Sequence, residues 1–324
     1  MTCFLPPDNK MEWGEDMLSI FQFILYILLF IGGMTVMRTG LMNISGKIMK
    51  EWLLRFTSTP FKGLLFGILI TVLLQSSSAV MILTVGFISA GLLSFPQSIG
   101  IILGTNIGTT ATVEFLAYGT DEMIIPLLIL GSIFILIPMT KARNIGLFFY
   151  GLGAIFLAMF GFEHLAAPLA DSDAIRPLIA NVNNSVLVSA IVGCILTAII
   201  QSSTAMTGIA MGFMNANIVN LPAAIALMLG SNIGTCLDAY IASIGGGREA
   251  KLSVYAHIWL NVVGVLLFLP FTETFAKYME HLSLIPEKQL AHASVVFNIV
   301  VSLLVLPFAK LFAAFIENLH GNKR

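Results

Sequence analysis

Residues 63–113 contain no Asp, Glu, Lys, Arg or His, and neither do residues 177–237. Stretches this long without a charge suit chain surrounded by lipid or by other helices. The whole chain agrees: only 10% of its 324 residues are charged and its mean hydropathy is +0.94, where soluble domains carry about 25% charged residues. The period-two alternation of an outer-membrane barrel is missing, so helices are the spanning structure that remains. The fold class expected is an all-α integral membrane protein.

A net charge of −1 and the lack of a basic patch leave no case for nucleic acid. The three cysteines, Cys3, Cys194 and Cys236, are an odd number without metal spacing, and read as core fillers. The first residues, "MTCFLPPDNKMEWGEDM", are polar and acidic. They lack the basic start of a cleaved signal peptide, so the first apolar segment is read as a retained span.

The expected layout has a polar segment 1–16, a first half 17–166 and a second half 167–324. A helix over 17–37 is followed by a basic connector holding Arg38, Lys47, Lys50, Arg55 and Lys62. Segments 63–92 and 186–217 each carry a polar knot, Gln75-Ser76-Ser77-Ser78 and Gln201-Ser202-Ser203-Thr204. Further spans are expected at 95–118, 123–140, 145–166, 218–244, 252–273 and 290–316, with a polar loop at 167–185. The arm 63–74 makes only ~18 Å of helix, against a hydrocarbon core of ~30 Å. The knot segments are therefore read as re-entrant helical hairpins with the knots at their tips. With the N-terminus outside and the C-terminus cytoplasmic, eleven Lys and Arg fall inside and four outside, in keeping with the positive-inside rule.

A shift of 126 positions aligns 63–115 with 189–241 without a gap, and 17 of the 53 pairs are identical. Gln75 meets Gln201, Gly86 meets Gly212, Pro96 meets Pro222 and Asn106 meets Asn232 in one register. This is an internal duplication. Three spans, 95–118, 123–140 and 145–166, lie between the two knot segments, and an odd number inverts the second copy. Inverted repeats with interrupted helices are the pattern of secondary transporters, with the site at the bilayer midplane.

Each copy carries a second motif about 30 residues after its knot: "GTNIGTT" at 104–110 and "GSNIGTC" at 230–236. Gly104, Gly108, Gly230 and Gly234 are expected to let two transmembrane helices break there. Hydroxyls, amides and backbone ends can hold a hard cation through oxygens and an oxyanion through N–H and O–H donors. No basic residue lies near either motif in sequence, so co-bound cations would offset the anion's charge.

The paired knots, each followed by a G-[TS]-N-I-G-T motif, resemble the type II sodium–phosphate cotransporter family over about residues 20–310. The match is to a short bacterial form lacking a PhoU-like tail and the large extracellular loop of animal members. The resemblance implies an inverted-repeat transporter of the cell membrane, with inorganic phosphate and sodium as partners and no cofactor beyond the coupling ion. It implies phosphate binding by Gln75, Ser76, Ser77, Gln201, Ser202 and Ser203. It implies sodium binding by Ser78, Thr105, Asn106, Thr109, Thr204, Ser231, Asn232 and Thr235. Oligomeric state stays open, a homodimer included.

Glu114 and Asp238 follow the two motifs and are candidates for a cation or proton path. His257 and His292, with Asn261 and Asn298, read as interhelical hydrogen-bonding groups. The alternative cargo is another small oxyanion or a carboxylate. A hydrolase would need one nucleophile rather than a symmetric pair, and a passive channel would need no sodium gradient.

Overall fold

A computed structural model of the chain describes residues 9–45 and 59–321, and among these there is no strand. Six helical runs are long and apolar enough to cross a membrane: Asp16–Ile44, Phe95–Leu116, Thr140–Asp171, Leu221–Ala242, Arg248–Leu282 and Pro286–His320. The chain is a multi-pass membrane protein. Its elements in order are α1 (Asn9–Ser45), α2 (Pro60–Leu74), α3 (Ser77–Ser89), α4 (Phe95–Leu116), α5 (Asp121–Leu136) and α6 (Thr140–Asp171). The rest are α7 (Arg176–Asn184), α8 (Val186–Ile200), α9 (Ser203–Asn215), α10 (Leu221–Gly234), α11 (Cys236–Ala242), α12 (Arg248–Phe268), α13 (Thr272–Leu282), α14 (Pro286–Val305) and α15 (Ala309–His320).

Six of the seven spans expected outside the knot segments are present, with altered edges. The one expected at 123–140 is the 16-residue helix α5, which is not among the six long enough to cross. The first helix does not stop at residue 37 but runs to Ser45. Arg38 therefore lies within it rather than on a connector; Lys47, Lys50 and Arg55 lie outside the described residues, as does Cys3. The polar stretch 167–185 is not a loop: α6 continues to Asp171 and α7 covers Arg176–Asn184. Pro270 and Pro307 each turn one helix into the next through a short 3-10 turn, because proline cannot donate the next helical hydrogen bond.

The largest departure concerns the two helices expected to break. Residues 95–116 form one continuous α-helix. Residues 221–242 are interrupted only at Thr235, whose φ −62° and ψ −23° remain helical. The glycines do a different job. A Cβ on Gly104 would stand 2.2 Å from the Leu64 carbonyl oxygen, and one on Gly100 would stand 2.2 Å from that of Pro60. In the second half a Cβ on Gly230 would stand 1.8 Å from the Ala190 carbonyl oxygen. Helix α4 thus presses against α2, and α10 against α8, backbone on backbone. Small residues four apart permit such close contact between membrane helices. A helix held that tightly has no reason to unwind.

The inner helices α4 and α10 carry the core: Ile101, Leu103, Ala224, Ile225 and Leu229 are all fully buried. The outer faces carry Leu65, Leu69, Ile191, Ile195 and Ile199, exposed apolar side chains suited to lipid. Helix α1 lies along α6, where Phe23 and Phe30 pack on Phe162.

Candidate functional site

Each knot is a helix stop followed at once by a helix start. Gln75 ends α2 in the left-handed region (φ 51°, ψ 32°), and Gln201 ends α8 likewise (φ 57°, ψ 32°). This conformation closes a helix but is unfavourable for a residue with a Cβ. Gln75 gains something in return: its Nε2 donates to the Val72 carbonyl at 2.7 Å, one of the groups left unpaired at a helix end. The next residue is extended and caps the following helix. Ser76 Oγ accepts from Ala79 N–H at 3.1 Å, and Ser202 Oγ from Ala205 N–H at 3.2 Å. Gln-Ser is therefore a two-residue turn, repeated with nearly the same dihedral angles.

The turns aim the N-termini of α3 and α9 into one cavity of about 90 Å³. It is lined by Gln75 to Ser78, Gln201 to Thr204, Thr109, Thr112, Thr235 and Arg38. Larger hollows, about 480 Å³ near Asn183 and Lys277 and about 730 Å³ near Gln97 and Arg248, lie away from the knots. They too are lined by helix starts, at Ser185 and Asn220 in the first and at Ser94 and Gly247 in the second. Each, however, carries two glutamates against one basic residue, Glu273 and Glu280 or Glu249 and Glu317, which disfavours an anion. Each helix N-terminus carries partial positive charge and free N–H groups, which together bind anions. The cavity is well below the 300–1,000 Å³ of pockets for drug-sized molecules, so it suits a small ion.

The family model for the Na+/Pi-cotransporter matches residues 29–164 and 166–285. The chain belongs to the Na+/Pi-cotransporter family. It is 44% identical to the uncharacterized protein YqeW of Bacillus subtilis over 279 residues, 86% of this chain and 91% of that protein. It is 26% identical over 275 residues to YjbB of Salmonella typhimurium, whose name assigns it provisionally to inorganic phosphate export. That alignment covers 85% of this chain and 50% of YjbB, so the chain spans about half the length of that relative. Over 101 residues, 31% of this chain and 16% of the relative, it is 35% identical to the sodium-dependent phosphate transport protein 2A of Mus musculus. No solved structure matches.

Within this Na+/Pi-cotransporter family chain, ten of the fourteen residues singled out from sequence line the cavity: both knots entire, with Thr109 and Thr235. Thr105, Asn106, Ser231 and Asn232 do not. Thr105 and Ser231 are buried and donate to the carbonyls of Ile102 (2.8 Å) and Met228 (2.7 Å) in their own helices. Asn232 Nδ2 also donates to Met228, at 2.9 Å. Asn106 is committed elsewhere. Its Nδ2 donates to Asn261 Oδ1 at 2.8 Å, and its Oδ1 lies 3.3 Å from His257 Nε2. These bonds tie α4 to α12, and Asn261 Nδ2 also lies 3.3 Å from Cys236 Sγ.

Two lining residues, Arg38 and Thr112, were not read from sequence as site residues. Arg38 Nε donates to the Gln75 carbonyl at 2.8 Å. In sequence it is an arginine just past the apolar run 17–37, read as the first residue of the basic connector. Of the two carboxylates singled out, Asp238 stands behind the cavity and accepts from Ser78 Oγ at 2.6 Å. Glu114 is further off, paired through Oε1 with His292 Nδ1 at 2.7 Å.

Proposed function

We propose that this chain carries inorganic phosphate across the cell membrane in symport with sodium. The observation that supports this most is the convergence of two serine-capped helix N-termini on one small cavity. The phosphate is held by the free N–H groups of α3 and α9 and by hydroxyls of Ser77 and Ser203, with Gln75 and Gln201 closing the sides. Sodium is held by hydroxyl oxygens of Ser78, Thr109, Thr204 and Thr235. The Asp238 carboxylate, one hydrogen bond behind Ser78, supplies negative charge beside them. Asn106 ties α4 to α12, and Thr105, Ser231 and Asn232 bond carbonyls of their own helices, so these four hold helices rather than ions.

The matched knot dihedrals and the matched glycine contacts of α2 on α4 and α8 on α10 support a duplicated unit. Inverted in the membrane, the two units place helices α2–α3 and α8–α9 as re-entrant hairpins from opposite sides, the first from the cytoplasm. Alternating access then follows from movement of one unit against the other. The likeness to YjbB, named for export, favours a second reading in which the same site releases phosphate from the cell.

Labelled phosphate flux in proteoliposomes tests both. The expected result is uptake driven by an inward sodium gradient and competed by arsenate more than by sulfate or succinate. Phosphate flux indifferent to sodium would leave the export reading standing; robust flux of another anion without phosphate flux would overturn both. In the same assay Asp238→Asn keeps an acceptor for Ser78 but removes the charge. The half-maximal sodium concentration is expected to rise about tenfold. An unchanged sodium dependence would remove Asp238 from the site.

A further inference from the structure

Arg38 is a charged residue on a membrane helix, half-buried, and it lines the cavity into which both knots point. Every other lining residue is a neutral hydroxyl or amide. A guanidinium carries five N–H donors. The one hydrogen bond that Arg38 makes to the described residues uses Nε, on the Gln75 carbonyl. No carboxylate among the described residues forms an ion pair with it; the pairs present are Arg176 with Asp173 and His292 with Glu114. A charge in this position is costly unless something of opposite sign meets it. The second knot shows no matching contact: Gln201 is exposed, and its carbonyl accepts no side-chain bond from the described residues.

We propose that Arg38 is the fixed positive charge that binds the transported anion, its two Nη groups forming a forked contact to two oxygens of the phosphate. This rests on the phosphate reading above and deepens it. Nε anchors the guanidinium to the knot, which sets the plane of the fork. Bidentate contact of this kind is what arginine offers an oxyanion and lysine does not. One unit of the anion's charge is thereby met by the protein itself, and sodium is needed only for the remainder. The site is then asymmetric: the knots are duplicated, but the charge sits on the first alone.

The test separates charge from scaffold. In Arg38→Gln the amide nitrogen occupies the same place along the side chain as Nε, so the bond to the Gln75 carbonyl is kept while the charge and both Nη groups are lost. Equilibrium binding of labelled phosphate and of labelled sodium is measured on the purified full chain, wild type, Arg38→Gln and Arg38→Lys, each checked for a folded melting transition. Phosphate affinity is expected to fall about 10- to 100-fold in Arg38→Gln at every sodium concentration. Arg38→Lys is expected to fall between it and wild type, and sodium binding without phosphate is expected not to weaken in either. Wild-type phosphate affinity in a folded Arg38→Gln overturns the inference and leaves the phosphate reading intact. A wild-type chain that binds no phosphate overturns both.

Discussion

Ser203→Asp is expected to leave the protein folded, or slightly more stable, and to stop phosphate transport. Ser203 is the first residue of α9, directly after the Ser202 cap, and it lines the cavity. A carboxylate in the first turn of a helix interacts favourably with the free N–H groups and the helix dipole, by about 0.3–1 kcal/mol. Ser203 is only half-buried, which leaves room for the larger side chain. The same carboxylate occupies the place of the anion. At about 4 Å and an effective dielectric constant of about 20, two like charges repel by about 4 kcal/mol, close to a thousandfold in affinity. A melting temperature that holds while sodium-driven phosphate flux falls at least 100-fold is the result expected. Flux within a few-fold of wild type would mean that the second knot does not face the anion.

Two glycine-to-alanine changes are expected to have opposite signs. Gly230→Ala puts a Cβ 1.8 Å from the Ala190 carbonyl oxygen, a clash that only separating α8 from α10 relieves. The three nearest atoms, the Ala190 oxygen, carbonyl carbon and Cα, are all backbone, so no side chain can rotate away. Overpacking usually costs about 1–3 kcal/mol and more where the backbone itself must move. The loss here is expected at or above about 3 kcal/mol, seen as a collapse of folded yield in detergent. Gly86 lies inside α3 with nothing within 4 Å of the added Cβ. There alanine gains only its better helix propensity, about 1 kcal/mol. Equal melting temperatures for the two variants would show that close contact of α8 and α10 is not what those glycines provide.

Much of this was readable in advance, for identifiable reasons. Charge-free stretches reveal spans because lipid tolerates few alternatives, and the polar knots stood out against them. A glutamine followed by serine at mid-segment marked the interruption, and the structure supplies its form: a left-handed stop and an N-cap. The glycines were misread because a glycine beside Asn and Thr serves unwinding and close packing equally well. Gly63 and Gly67 on α2, spaced four apart like Gly100 and Gly104 on α4, carried the deciding hint, since unwinding needs no partner glycine. Arg38 was placed at a helix end because charges usually mark ends, whereas α1 continues to Ser45. The commitment of Asn106 to Asn261, 155 residues away, depends on how α4 and α12 meet, which no local pattern encodes.

The most direct measurement is the number of phosphates bound per chain before and after Ser203→Asp, by equilibrium dialysis with labelled phosphate in saturating sodium. If both knots form one site, wild type binds one phosphate per chain and the variant binds none. If the variant keeps a phosphate at wild-type affinity on the first knot alone, the knots are separate sites and the single shared cavity is wrong.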